Sequence, residues 1–134
     1  MSFIEAITTV YGRYATFTGR SRRPEYWWWA LYIVLGAVAV ALIETALGLG
    51  MWSMVMGDDE IHGMYQGGPL TWLWSVAHLL PGLAVAVRRL HDTDRSGWWL
   101  MLALIPVVGA LVLLYFMASI GTRGDNRFGA EPAA

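Results

Sequence analysis

The chain has 134 residues, of which 57% are hydrophobic and 14% charged, against roughly a quarter charged in soluble domains. A soluble domain this short cannot bury so much apolar surface, so lipid is its natural solvent. There is no cysteine and the net charge is −1, which excludes disulfide and thiolate chemistry and gives no bulk reason to expect nucleic acid.

Segment 2–14 predicts a short amphipathic helix. Ser2 followed by Glu5 fits a capping box. Phe3, Ile7, Val10 or Tyr11, and Tyr14 fall on one face. Such a helix either lies flat at the headgroups or packs on the chain's own loops. Met1 to Thr9 carries no basic n-region and no cleavage pattern, so the first apolar span is expected to stay in the membrane as a signal anchor. Phe17-Thr18-Gly19-Arg20-Ser21-Arg22-Arg23 reads as a basic turn, and Pro24 suits the first turn of the next helix.

Three hydrophobic segments follow, at 26–49, 70–87 and 98–120. Each is near the ~20 residues that cross a ~30 Å hydrocarbon layer. The connection 50–69 carries Asp58, Asp59 and Glu60 and no Arg. The connection 88–97 carries Arg88, Arg89 and Arg95, and the tail 121–134 reads as irregular. The expectation is an all-α integral membrane protein: three transmembrane helices preceded by an interfacial helix, in one domain over 1–134.

Two signals orient it. Trp27, Trp28, Trp29, Trp98 and Trp99 fall at one expected interface, and Trp52, Trp72 and Trp74 at or near the other, where amphipathic rings prefer to be. All nine basic residues are Arg, and four of them lie in the amino-terminal segment. Cytoplasmic loops collect basic residues, so the amino terminus and connection 88–97 are expected inside. Three crossings then leave Arg123 and Arg127 outside. A re-entrant hairpin broken at Pro106 and Gly109 would place every Arg inside. Continuous crossing is the expectation, because 23 helical residues span about 34 Å and two half-length arms would not cross twice.

Several residue sets are candidates for function. Arg20, Arg22, Arg23, Arg88, Arg89 and Arg95 are expected to converge on one membrane face, where guanidinium groups contact anionic lipid headgroups or a partner. Glu44 and His78 are expected at similar depth inside the hydrocarbon, where ionisable groups need a partner, and so to share a hydrogen bond. His91, Asp92 and Ser96 are read as ordering their loop. Asp92 pairs with Arg88 or Arg89 a turn away, and Ser96 caps the third span. A catalytic use of His91, or metal binding by this stretch, is the alternative. The run Asp58-Asp59-Glu60-x-His62 is read as a solvated loop. Asn126-Arg127-Phe128-Gly129 is read as a turn that packs Phe128 back on the protein.

These residues also carry a resemblance. Phe17-x-Gly19-Arg20-x-Arg22-Arg23-x-Glu25-Tyr26-Trp27 opens the first span. Arg88-Arg89-Leu90-His91-Asp92 and Ser96-Gly97-Trp98-Trp99 lead into the third, which holds Ile105-Pro106-x-x-Gly109. With Gly121-Thr122 and Asn126-Arg127-Phe128-Gly129-x-Glu131-Pro132, nearly the whole chain resembles domain of unknown function family 805, small bacterial inner-membrane proteins. The tail departs from the pattern at Arg123, Ala130 and Glu131. The resemblance implies location and architecture and no activity.

The sequence therefore reads as a non-catalytic accessory or interaction component of the bacterial inner membrane. Its expected contacts are anionic lipids, with a protein partner or a homo-oligomer. No metal, cofactor or nucleic acid is expected. A small oligomeric transport unit built on Glu44 and His78 and a lipid or phosphate enzyme using His91 are the alternatives.

Overall fold

A computed structural model describes residues 1–50, 52–56 and 61–133, without the side chains of 52–56 and 61–64. Asp58, Asp59 and Glu60, and the side chain of His62, lie outside the described residues. The order of elements is α1 (Phe3–Gly12), α2 (Arg23–Ala46), β1 (Trp52–Met56), β2 (Ile61–Tyr65), α3 (Pro69–Asp92), a 3-10 segment (Gly97–Leu104) and α4 (Val108–Ala118). The chain forms two compact units. One comprises 1–31 and 80–134, the other 32–79.

In the first unit, α1 starts at a capping box. Ser2 Oγ accepts from Glu5 N–H, and the Glu5 carboxylate accepts from Ser2 N–H. Ala6 and Val10 of α1 are fully buried. Phe3 meets Trp28 edge-on at 5.7 Å, and Tyr11 meets Trp29 at 5.3 Å. Of the two sequence readings of this helix, these contacts fit packing on the chain itself.

α3 runs on through Pro81 to Asp92 and ends in a Schellman motif. Asp94 N–H reaches His91 O, and Arg95 N–H reaches Leu90 O at 2.9 Å. Asp94 takes the left-handed conformation (φ 57) that this motif needs, which Asp tolerates better than most residues.

The third apolar segment differs from the expected single helix over 98–120. It is two arms joined by a tight turn. Pro106 has no N–H, and its ring opposes the carbonyl four residues back. The residue before a proline is driven to extended backbone, and Ile105 adopts φ −94, ψ 108. Val107 then takes φ 62, ψ −67, and Val108 N–H donates to Pro106 O at 2.7 Å. This is the rarer, strained form of γ-turn. Gly109 makes the return possible: a Cβ there would lie 1.7 Å from the carbonyl oxygen of Leu102. The arms come back together at their open end, where Trp99 meets Phe116 at 5.5 Å and Arg95 lies over the Phe116 ring at 4.1 Å. The 8-residue 3-10 arm is about 16 Å long, and the 11-residue α4 is about as long. Each is roughly half of a ~30 Å hydrocarbon layer. Proline interrupts hydrogen bonding rather than hydropathy, which is why apolar content alone suggests one continuous span.

The hairpin's open end packs on Ala86 and Leu90 of α3 through Met117, with Tyr26, Leu100 and Phe116 around them. Away from that end it is exposed and apolar: Leu104 and Val107 are each 72% exposed.

The second unit holds an antiparallel hairpin inside the expected loop, with Trp52 opposite Tyr65 and Met56 opposite Ile61. It also holds the end of α2 and the start of α3. α2 stops at Ala46 because Gly48 (φ 69) turns the chain, and Leu49 N–H bonds back to Glu44 O at 2.9 Å. Its apolar side chains there face outward: Leu42 is 66% and Val34 59% exposed. α2 and α3 have 24 residues each and are long and apolar enough to cross a membrane.

Candidate functional site

The strongest chemical feature of the first unit is a buried network of charges. Arg20, Arg88 and Arg89 are at most 5% exposed, as are Glu25, Asp92 and Ser21. Burying a charge is costly unless it is paired and hydrogen-bonded, and each of these is. Arg20 bonds Asp92 through Nε and NH2, at 3.0 and 2.9 Å. Arg89 pairs with the other Asp92 oxygen. Arg88 bonds Glu25 Oε1 at 3.1 Å and Ser21 Oγ at 2.9 Å, and Ser21 Oγ donates to the same Glu25 oxygen.

Three guanidinium groups face two carboxylates, and backbone carbonyls supply the remaining acceptors. Arg20 donates to the carbonyls of Thr122, Gly124 and Gly129. Arg88 donates to Arg13 and Thr16. Arg89 donates to the carbonyl of Met117, in the last turn of α4, and to that of its C-cap Ser119, where a cation complements the helix dipole. The network therefore ties the amino-terminal connector, the end of α3, the return end of the hairpin and the tail together. Gly121 lets the tail pass close by: a Cβ there would fall 2.1 Å from Asp92 Oδ2.

This corrects the reading of six arginines as one headgroup-facing surface. Arg20, Arg88 and Arg89 point inward because internal acceptors take up their donors. Arg95 lies on Phe116 and donates to Thr93 O at 3.3 Å. Arg22 and Arg23 remain at the surface, half-buried and exposed. The expected pairing of Asp92 with Arg89 is present. Ser96 stands at the start of the 3-10 segment, but its side chain makes no cap bond. In the tighter helix its carbonyl serves instead, accepting from Trp99 N–H.

The ring of His91 is engaged on two sides. Nδ1 is 3.0 Å from Gly19 O, and the ring stacks on Phe128 at 3.9 Å and 3°. The tail turn that presents Phe128 forms as the sequence suggests, with Asn126 paired to Gly129 and Asn126 Nδ2 donating to His91 O.

A groove of about 260 Å³ opens beside the network. Arg22, Arg23 and Arg123 line it, with Pro24, Ile120 and Glu131. Arg23 reaches Ala118 O at 3.3 Å. The side chains of Arg22 and Arg123 have no hydrogen-bond acceptor among the described residues.

In the second unit, Glu44 and His78 do not pair. Glu44 is fully buried, and its carboxylate caps α3 from outside that helix. Leu70 and Thr71 N–H donate to Oε1, while Thr71 Oγ1 and Tyr65 Oη donate to Oε2. Pro69, which has no N–H, takes the first position. His78 Nδ1 is 2.7 Å from Trp74 O within its own helix, and its ring lies 3.9 Å from Trp74 and 5.7 Å from Tyr32. The free amides of the α3 start outcompete a single imidazole for the carboxylate.

Tyr65 and Thr71 carry no site signal in the sequence, Ser21 stands there only within the basic turn, and Arg123 only as a topological conflict and a departure from the family pattern. Glu25 was visible only as part of a motif, and Tyr65 belongs to a hairpin read as loop.

Residues 14–130 match the family described as protein of unknown function DUF805. The chain belongs to the DUF805 family. Within this family setting it is 40% identical over 119 residues to inner membrane protein YhaH of Escherichia coli strain K12, covering 89% of this chain and 88% of that protein. It is 40% identical over 124 residues to inner membrane protein YhaI of the same strain, covering 92% of each. No solved structure matches the chain. The buried network and the hairpin both fall within the matched residues, and together with these relatives the long apolar helices mark this DUF805 member as a membrane protein.

Proposed function

We propose that this chain is a non-catalytic, multi-pass protein of the bacterial inner membrane, an interaction component whose cytoplasmic face contacts anionic headgroups. In this reading α2 and α3 cross the bilayer. The third apolar segment enters from the cytoplasmic side, turns at Pro106 and returns. Both chain ends and all nine arginines then lie inside, which removes the charge conflict of three crossings.

One observation carries the reading. The return end of the hairpin and the tail are bonded by Arg20 and Arg89 to the same Asp92 that ends α3. The hairpin's two ends are thus held at one level, beside the arginine-rich connector. The relatives named inner membrane proteins support the location. The engagement of His91 by Gly19 and Phe128 supports a structural role for that residue.

The protein extracted into lipid nanodiscs is expected to carry anionic phospholipid enriched severalfold over the bulk membrane. Extraction at about 1 M salt, where charges are screened beyond about 3 Å, should reduce that enrichment. A lipid complement identical to the bulk, at either salt, would contradict the reading.

A further inference from the structure

We infer that the groove lined by Arg22, Arg23 and Arg123 is a built site for one phosphate group, that of a phospholipid headgroup. The inference rests on the headgroup-contact reading and narrows it to a place.

Three features converge. First, charge: Arg20, Arg22, Arg23 and Arg123 line the groove against Asp92 and Glu131, an excess of two positive charges. Arg20 is engaged by Asp92 and by tail carbonyls, and Asp92 by Arg20 and Arg89. Glu131 accepts from Gly124 N–H at 2.6 Å. The excess therefore resides on the other arginines.

Second, unused donors: Arg22 and Arg123 keep their guanidinium forks without an internal acceptor among the described residues, whereas Arg20, Arg88 and Arg89 on the same face are fully engaged. A planar fork matches two phosphate oxygens at once. Arg23 and Pro24 open α2 at the groove wall, so the positive end of that helix adds to the same field.

Third, the wall is mixed. Ile120, which is 73% exposed, and Pro132 give the groove an apolar flank just beyond the hairpin's return end. A phosphodiester with an acyl chain attached can use that flank, and a free phosphate cannot. The surroundings of this face favour a lipid for the same reason.

The test uses the full chain in dodecyl maltoside, titrated with phosphatidylglycerol, phosphatidylcholine or inorganic phosphate and followed by native mass spectrometry and thermal stability. Phosphatidylglycerol is expected to bind at one site above phosphatidylcholine. Arg22→Gln and Arg123→Gln are each expected to weaken it about fivefold, and the pair about 25-fold, as for ~1 kcal/mol per basic group at an anionic surface. Arg127→Gln, on an exposed arginine paired with Asp94, removes the same charge and is expected to change binding less than twofold.

If all three variants lose affinity equally, the built site is refuted while general headgroup contact survives. If phosphatidylglycerol binds no better than phosphatidylcholine in the unmodified chain, both readings fall. Saturable binding of inorganic phosphate at the same residues, with no preference for lipid, would overturn the lipid source and leave the phosphate chemistry.

Discussion

Asp92→Ala is expected to destabilise the protein by about 3–5 kcal/mol, the usual cost of removing one partner from a buried ion pair. Its carboxylate is shared by Arg20 and Arg89, whose side chains are 1% and 0% exposed. Without it two guanidinium groups remain buried with carbonyls alone. Since a domain's whole stability is about 5–15 kcal/mol, much of the variant should be lost to unfolding. Asp92→Asn preserves the shape and one acceptor oxygen and should fall between. Arg127→Ala breaks the Asp94 pair, whose side chains are 62% and 49% exposed, and should cost less than about 1 kcal/mol. Unfolding midpoints in detergent would rank the three. Equal small losses for Asp92→Ala and Arg127→Ala would mean that the network is not what fastens the hairpin and tail.

The second large effect belongs to Glu44. Glu44→Ala removes the acceptor for two first-turn amides of α3 and for the hydroxyls of Tyr65 and Thr71. Charge-assisted bonds contribute roughly 1.5–3 kcal/mol each, but solvent and neighbouring groups replace part of that, so the expected loss is about 2–4 kcal/mol. His78→Ala loses its ring contacts with Trp74 and Tyr32, for about 1 kcal/mol. Because Glu44 is held by Leu70, Thr71 and Tyr65 while the His78 ring lies on Trp74 and Tyr32, a double-mutant cycle should be additive to within about 0.5 kcal/mol. A coupling well above that would restore the Glu44–His78 contact that depth alone suggests.

What the sequence discloses about this fold follows from what each signal measures. Hydropathy finds the long apolar segments, and Ser2 with Glu5 announces the cap of α1, because both are local. Pro106 and Gly109 mark the place where the third segment turns, yet their outcome depends on whether Leu102 and Gly109 can touch, which is a matter of tertiary packing. The arginines illustrate the same limit. Their clustering places them on one face. Whether a given guanidinium turns inward depends on carbonyls that arrive from 72 to 109 residues away, as for Arg20 and Arg88. Depth along two helices brought Glu44 and His78 to one level without saying that the amides of Leu70 and Thr71 would be nearer.

The central claim is that the third apolar segment returns to the side it entered from. The chain has no cysteine, so single-cysteine variants report without background. Ser2→Cys, Thr93→Cys and Ala133→Cys would be labelled with a membrane-impermeant maleimide in intact spheroplasts and in inverted vesicles. All three are expected to react only in the inverted vesicles. Reaction of Ala133→Cys in intact spheroplasts, with the other two protected there, would mean a full third crossing and would contradict the account.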